Sequence, residues 1–429
     1  MEIQNGSVLA RPRVLEKDLS EIWRGQRFGG RLLTDGHERV KVLYPGRLND
    51  NRGGDFRDAV IAFPGRTVKG EVELHVKSGD WRTHGHDRDP WYNGVVLHVV
   101  YARNTDSPTM LQNGSRVPIL ALETHVEQRC VPAPCFGIGT RMEIEDVTSI
   151  LDSAGRYRFE RRVTSFADQL RTAEPGQVLY RGVMEALGYS RNRGPFLALA
   201  QRLPLAALEA LGGSDAEFRS RVESRLLSAA GLGSTHESVG LGWRLLRARP
   251  GNSPLVRIKA MSHLLLRHRV RGLLNGLLDC VRESPERRGF RHIEDALVVA
   301  GEEGGSSVPS CAPLGRERAD DIAINVLLPF AEAFGRIHED PVLVRKVNLQ
   351  YASWPRHGVN CVERHMLHQT GLTFRDANSA QRQQGLMELY VGMCTQGKCA
   401  VCSLGKPQSR HDIHVEPGSA AAQKAEIAG

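Results

Sequence analysis

The hydrophobic residues of this chain change their period once, and that switch constrains the fold more than any motif. From about residue 38 to 127 they alternate or run in short blocks bounded by Gly, Pro, Asn and Asp, which is the pattern of strands. Strands are expected over Arg39–Tyr44, Ala59–Phe63, Gly70–Lys77, Gly94–Tyr101 and Pro118–Val126, after a helix near Lys17–Arg24. From Glu143 onward apolar residues recur every three or four positions, the period of helices. Helices are expected over Arg156–Leu170, Gln177–Leu187, Asp215–Ala229, Pro254–Val281, Arg318–Phe334 and Ser379–Met393. The expected class is α+β: a mixed sheet domain over 1–137, an all-helical domain over 138–406 with a Cys-rich end, and a disordered tail over 407–429. Gly301–Ser310 reads as an exposed loop.

At 429 residues, 41% hydrophobic and 25% charged, the chain has ample material for two cores, so a disulfide-stapled mini-protein and wholesale disorder are both excluded. No run approaches the ~20 apolar residues of a membrane span, and the first residues carry charges where a signal peptide would be apolar. A cytoplasmic protein without a membrane partner is expected. The net charge of +8 admits nucleic acid as a partner. Only nine of the 57 basic residues are Lys, however, and a GC-rich genome gives the same Arg bias without selection for binding.

The densest chemistry lies in Gly70–Tyr101, GEVELHVKSGDWRTHGHDRDPWYNGVVLHVVY. In a strand Glu71, Glu73, His75 and Lys77 share one face, opposite Val72, Leu74 and Val76. A solvated outer face would explain such a pattern. Against that, His84, His86, Asp87 and Asp89 follow in a short loop, with the imidazoles and carboxylates that bind divalent metals. His98 sits inside an apolar run, where a hydrogen-bonded core residue is more common than a ligand. The Gly-rich turn 51–54 delivers Asp55 just before a strand, so that Asp55 and Glu73 can converge on one cation. The candidate metal ligands are therefore Asp55, Glu73, His84, His86 and His98.

The stretches GDFRDAVI and Gly70–Tyr101 closely resemble the uncharacterised bacterial domain-of-unknown-function 2851 family. The likeness continues in ALGYSRNRGPFLALA at 186–200, ARPGNSPLVRIKA at 248–260, ADDIAINVLLPF at 319–330 and QQGLMELYVGMCTQGKCAVCSLG at 383–405. That family brings no established activity. An Asp before one strand and Glu-x-Lys on the next also resembles the PD-(D/E)xK nuclease core. The resemblance implies an Mg²⁺-dependent enzyme with Asp55 and Glu73 on the metal and His75 or Lys77 handling the attacking water. Gly54 stands where that motif has Pro, and His75 where it has Lys.

Cys394, Cys399 and Cys402 form C-x4-C-x2-C, a spacing suited to a structural zinc ion or an iron–sulfur cluster. Cys361 is the expected fourth ligand, with His357, His365 and Cys311 as alternatives. One distant and three close cysteines resemble the iron–sulfur staple of some RecB-like nucleases. Arg247, Arg249 and Arg257 lie in a basic segment able to meet phosphates, or simply to form a solvated helix face. The leading expectation is a metal-dependent nuclease. A non-catalytic nucleic-acid-binding scaffold and a phosphohydrolase of small molecules are the alternatives.

Overall fold

The computed structural model describes residues 14–126, 135–232, 240–245, 252–300 and 312–405. The expected loop 301–310, the tail 407–429, Arg247, Arg249 and Cys311 lie outside these residues. The chain forms two compact units. One contains the described residues up to Phe136 and those from Met393 onward, and the other is Gly137–Gly392. The Cys-rich end therefore belongs with the sheet, not with the helices as its neighbouring sequence suggested.

The first unit opens with helix α1 (Glu16–Arg24), followed by β1 (Lys41–Tyr44), β2 (Arg47–Leu48), β3 (Phe56–Phe63) and β4 (Arg66–Lys77). After a short turn of helix α2 (Asp80–Thr83) come β5 (Val95–Ala102), the small hairpin β6 (Thr109–Met110) and β7 (Arg116–Val117), and β8 (Ile119–Ala121). The main sheet runs β1-β3-β4-β5-β8, with β2 also paired to β3. β1, β3 and β4 are antiparallel neighbours, whereas β4–β5 and β5–β8 are parallel. The expected strands are all present, with the last one shorter.

Alternation along β4 and β5 separates the two faces of this sheet. Val72, Leu74, Leu97 and Val99 pack with Phe56, Ile61 and the α1 residues Leu19 and Trp23 into one apolar core. Each such side chain contributes about 1.5–3 kcal/mol on burial. The Trp23 indole N–H donates to the Pro45 carbonyl at 2.9 Å, which fixes α1 to the strand end. The opposite face of β4 carries its ionisable residues. Parallel neighbours cannot be joined by a tight hairpin, so the chain must cross over between Lys77 and Val95. The crossover lies on the polar face, as the contacts of His84 and His86 below show.

The second unit is built of helices, with isolated β-bridges at Val299–Leu314 and Pro355–Ser379 among its described residues. Its longest helix, α3 (Ile144–Leu170), begins twelve residues before the expected Arg156. The expected helix Pro254–Val281 is two helices, Pro254–Arg267 and Gly272–Arg282, broken where Gly272 takes φ +76°. Arg318–Phe334 is likewise interrupted by a π-helical turn over Ala323–Leu327. Arginines here serve the interior. Arg158 and Arg161 meet buried Glu388 at 3.2 and 2.6 Å, and Arg356 meets fully buried Glu363 at 2.7 Å.

Candidate metal centre

The centre is assembled on the first unit, beginning at the turn before β3. Gly53 takes φ +102°, and Gly54 lies so close to β4 that a side chain there would meet the Val72 carbonyl oxygen at 3.1 Å. Only glycine allows that approach. The acids of β4 then grip the turn. The Gly54 amide donates to Glu71 Oε2 at 2.8 Å and the Asp55 amide to Glu73 Oε2 at 3.0 Å. In return the Leu74 amide donates to Asp55 Oδ2 at 3.0 Å. Asp55 and the Glu73 strand are thereby tied to each other through backbone amides. Glu71 has a different task, because its other oxygen pairs with Arg57 at 3.2 Å.

Beneath the crossover, Glu73 and His75 are 5% and 1% exposed, and His98 on β5 is fully buried. Glu73 and His98 are cross-strand partners in the β4–β5 register. His75 Nδ1 lies 2.9 Å from His98 Nε2, and His98 Nδ1 lies 2.7 Å from the Thr109 hydroxyl. On the other edge of its ring, His75 Nε2 lies 3.1 Å from His84 Nδ1. His86 Nε2 approaches Glu73 Oε1 at 3.1 Å, with His75 Nε2 3.7 Å from the same oxygen. Tyr92 stacks on His86 with ring centroids 3.8 Å apart. Trp81 donates its indole N–H to the Met110 carbonyl, which anchors α2 above the strands.

Ligating nitrogens of His75, His84 and His86 fall within 4.8 Å of one another. Two ligand atoms each about 2.1 Å from one metal ion stand about 3.0–3.4 Å apart, so the 3.1 Å His75–His84 and His86–Glu73 separations match coordination edges. Burial and the surrounding imidazoles push His75 down to about 2, and burial followed by His86 pushes His98 down to about 3. Both rings are thus neutral near pH 7, the form that binds metals. Two tautomer chains satisfy these contacts: His98 Nδ1–H donating to Thr109 with His75 Nδ1–H donating to His98 Nε2, or both bonds reversed. The first leaves the His75 Nε2 lone pair directed toward His84 and Glu73, as a metal ligand requires.

The residues chosen from sequence therefore divide. His75, His84 and His86 gather their ring nitrogens, Glu73 lies against His86 and His75, and Asp55 is joined to Glu73 through its backbone amide. His98 belongs to the same network but orients His75 instead of facing the ligand set. His75 is enclosed and hard to protonate, so the role of base implied for it does not fit. The Lys77 side chain is exposed at the strand end, where its backbone amide meets Asp80 at 3.1 Å. Asp89 caps the turn over Pro90–Tyr92 by accepting from the Trp91 amide. Thr109 and Tyr92 were not foreseen, since they come from separate segments and carry no local motif.

Asp55 is an exposed residue of the turn, while its carboxyl, which accepts from the Leu74 amide, is partly desolvated by the protein around it. That desolvation, together with the charge of Glu73, pushes it up to about 7. Carboxyls poised near neutrality transfer protons efficiently at physiological pH. Exposed cations stand on the flanking turns: Arg52 before Asp55, Lys77 at the strand end, and Arg82 and Arg88 on the crossover. Trp91 is 53% exposed, and its carbonyl oxygen lies against Gly53.

Arg257 is buried, donating to the Pro313 carbonyl at 2.8 Å and to Asn252 at 2.7 Å, so it braces the chain and is not offered to a phosphate. Its neighbours Arg267, Arg269 and Arg271 lie at the surface and bond to carbonyls of 295–298, to Asp215 and to Asp279. The expected fourth cysteine, Cys361, opens a helix of the second unit. Cys394, Cys399 and Cys402 instead line a hollow with Cys135.

A family model described as "Protein of unknown function (DUF2851)" matches residues 16–240, more than half of the chain. The chain belongs to the DUF2851 family. The matched span holds every residue of the candidate metal centre. No curated protein and no solved structure matches the chain. Among the described residues, no helix is long and apolar enough to cross a membrane.

Proposed function

We propose that this member of the DUF2851 family is a metal-dependent phosphodiesterase acting on nucleic acid. The observation that carries this reading is the gathering of His75, His84 and His86, with Glu73 against His86 and the Asp55 amide bonded to Glu73. Three imidazoles and a carboxylate are the donor set of a first-row transition ion such as zinc, manganese or iron(II), whereas magnesium prefers oxygen donors. The Mg²⁺ implied by the nuclease resemblance is therefore replaced by such an ion. When bound, it supplies Lewis acidity toward a phosphoryl oxygen and lowers the pKa of water.

The residues of the chain divide the remaining work. His98 and Thr109 hold His75 in one tautomer, while Tyr92 holds the plane of His86. Asp55, anchored by the Leu74 amide, stands beside Glu73 as the group that takes the proton of the attacking water. Arg52, Arg82 and Arg88 attract the phosphate backbone, and Trp91 offers a face on which an unpaired base can stack. An acid leading one strand and Glu-x-His on its antiparallel neighbour keeps the pattern behind the nuclease resemblance.

The test begins with metal content and cleavage of single- and double-stranded DNA and RNA oligonucleotides in Mn²⁺, Zn²⁺, Fe²⁺ or Mg²⁺. Cleavage is expected with a transition ion and is expected to be lost with EDTA. Glu73→Gln and His86→Ala are expected to lose both metal and cleavage, and Asp55→Asn to lose cleavage while keeping metal. A protein that binds metal but cuts only small phosphodiesters would exclude nucleic acid as substrate. One that binds no metal would leave a scaffold.

A further inference from the structure

The second concentration of ligating side chains lies in the same unit but is built from both ends of its sequence. After the helix Ala380–Gly392, Cys394 and Cys399 each open a short 3-10 turn, with Cys402 just beyond. Gly397 joins the turns at φ +64° and lies so close to the sheet that a side chain there would meet Val60 at 3.1 Å and Leu43 at 3.3 Å. Lys69 on β4 reaches Gln396 at 2.6 Å, and the Cys399 thiol lies 3.8 Å from the Leu43 carbonyl. The turn is thus seated on the edge of the sheet formed by β1 and β3. Cys135 arrives from the opposite direction in sequence, and it lines one hollow together with Cys394, Cys399, Cys402, Met393 and Gly405.

We infer that Cys135, Cys394, Cys399 and Cys402 ligate one iron–sulfur cluster. Three of these cysteines are buried, and the four line one small hollow of about 10 Å³. Four thiols gathered around one hollow from two distant parts of the chain are placed to share one metal centre. Width distinguishes a cluster from zinc. In a tetrahedral zinc site the sulfurs stand about 3.8 Å apart, yet among the described residues the ligand trio that gathers within 4.8 Å is the histidine one. The cysteines are set more widely, as cluster iron atoms bound by separate thiolates require.

The assignment of Cys135 does not rest on the nuclease reading and can be tested apart from it. Full-length protein is purified anaerobically and reconstituted with ferrous iron and sulfide under reducing conditions. A visible charge-transfer absorbance is expected, with about two or four irons and as many labile sulfides per chain. Cys135→Ala and Cys399→Ala are expected to lose that absorbance, and Cys361→Ala to keep it in full. Far-UV circular dichroism of the reduced variants separates loss of the cluster from loss of the fold. If Cys135→Ala fails to fold, Cys399→Ala, which alters a half-buried residue, still decides the site. Full absorbance in a folded Cys135→Ala variant, or loss in Cys361→Ala, overturns the ligand assignment. Stoichiometric zinc without sulfide overturns the cluster, and binding of neither overturns the site.

Discussion

His98 shows how a single residue can be read correctly as chemistry and still be misplaced in role. Its position in an apolar run, VVLHVVY, left two readings open from the sequence: a satisfied core residue or a metal ligand. In the folded chain it is a buried link between the Thr109 hydroxyl and His75. Sequence could not reveal this, because Thr109 lies eleven residues further on, in a different strand pair. Such partners tune a site by fixing which nitrogen carries the proton, and their loss costs about 10–100-fold in metal affinity. Thr109→Val removes the hydroxyl with little change of shape. It is expected to weaken binding of the transition ion by about tenfold, as measured by competition with a chelator, while leaving the melting temperature within a few degrees. Unchanged affinity would show that His98 orients nothing.

At the scale of elements, the single period switch near residue 137 was enough to place a sheet before a helical unit, and alternation was enough to identify the polar face of β4. Helix breaks were less legible. Pro254–Val281 keeps an apolar repeat across the interruption at 268–271, so periodicity alone reads one long helix. Close helix contacts were also hidden, although Gly385 and Gly155 mark one. A side chain at Gly385 would overlap the Leu151 carbonyl of α3, and one at Gly155 would overlap the Gln381 carbonyl of the facing helix Ala380–Gly392. Alanine in place of a mid-helix glycine ordinarily gains about 1 kcal/mol in helix propensity. Here backbone must give way on both helices, and overpacking of this kind costs about 1–3 kcal/mol or more. Gly385→Ala is therefore expected to lower stability in urea unfolding despite the better helix former. An increase in stability would mean that the two helices separate at little cost.

Across the whole molecule, the sheet-bearing unit is completed only when the chain returns to it after the helical excursion of 137–392. That return explains why the fourth cysteine escaped detection. Linear spacing exposes three ligands in C-x4-C-x2-C, but the remaining partner depends on where the chain departs, and the nearest candidate in sequence, Cys361, belongs to the other unit. Sequence proximity also suggested that the cysteine site would stabilise the helices. The contacts of Cys399 with Leu43 and of Gln396 with Lys69 point to the sheet instead. Because ligand binding to a site formed only in the folded state adds to folding free energy, loss of the cluster should loosen what the turn touches. Amide hydrogen exchange of reconstituted protein, before and after cluster removal by chelation under oxidising conditions, is expected to speed up in β1, in β3 and in the turn 393–405. The amides of α3, which belongs to the other unit, are expected to exchange at the same rate. Faster exchange in α3 with unchanged β1 and β3 would return the cysteine turn to the helical unit and refute its role as the closure of the sheet.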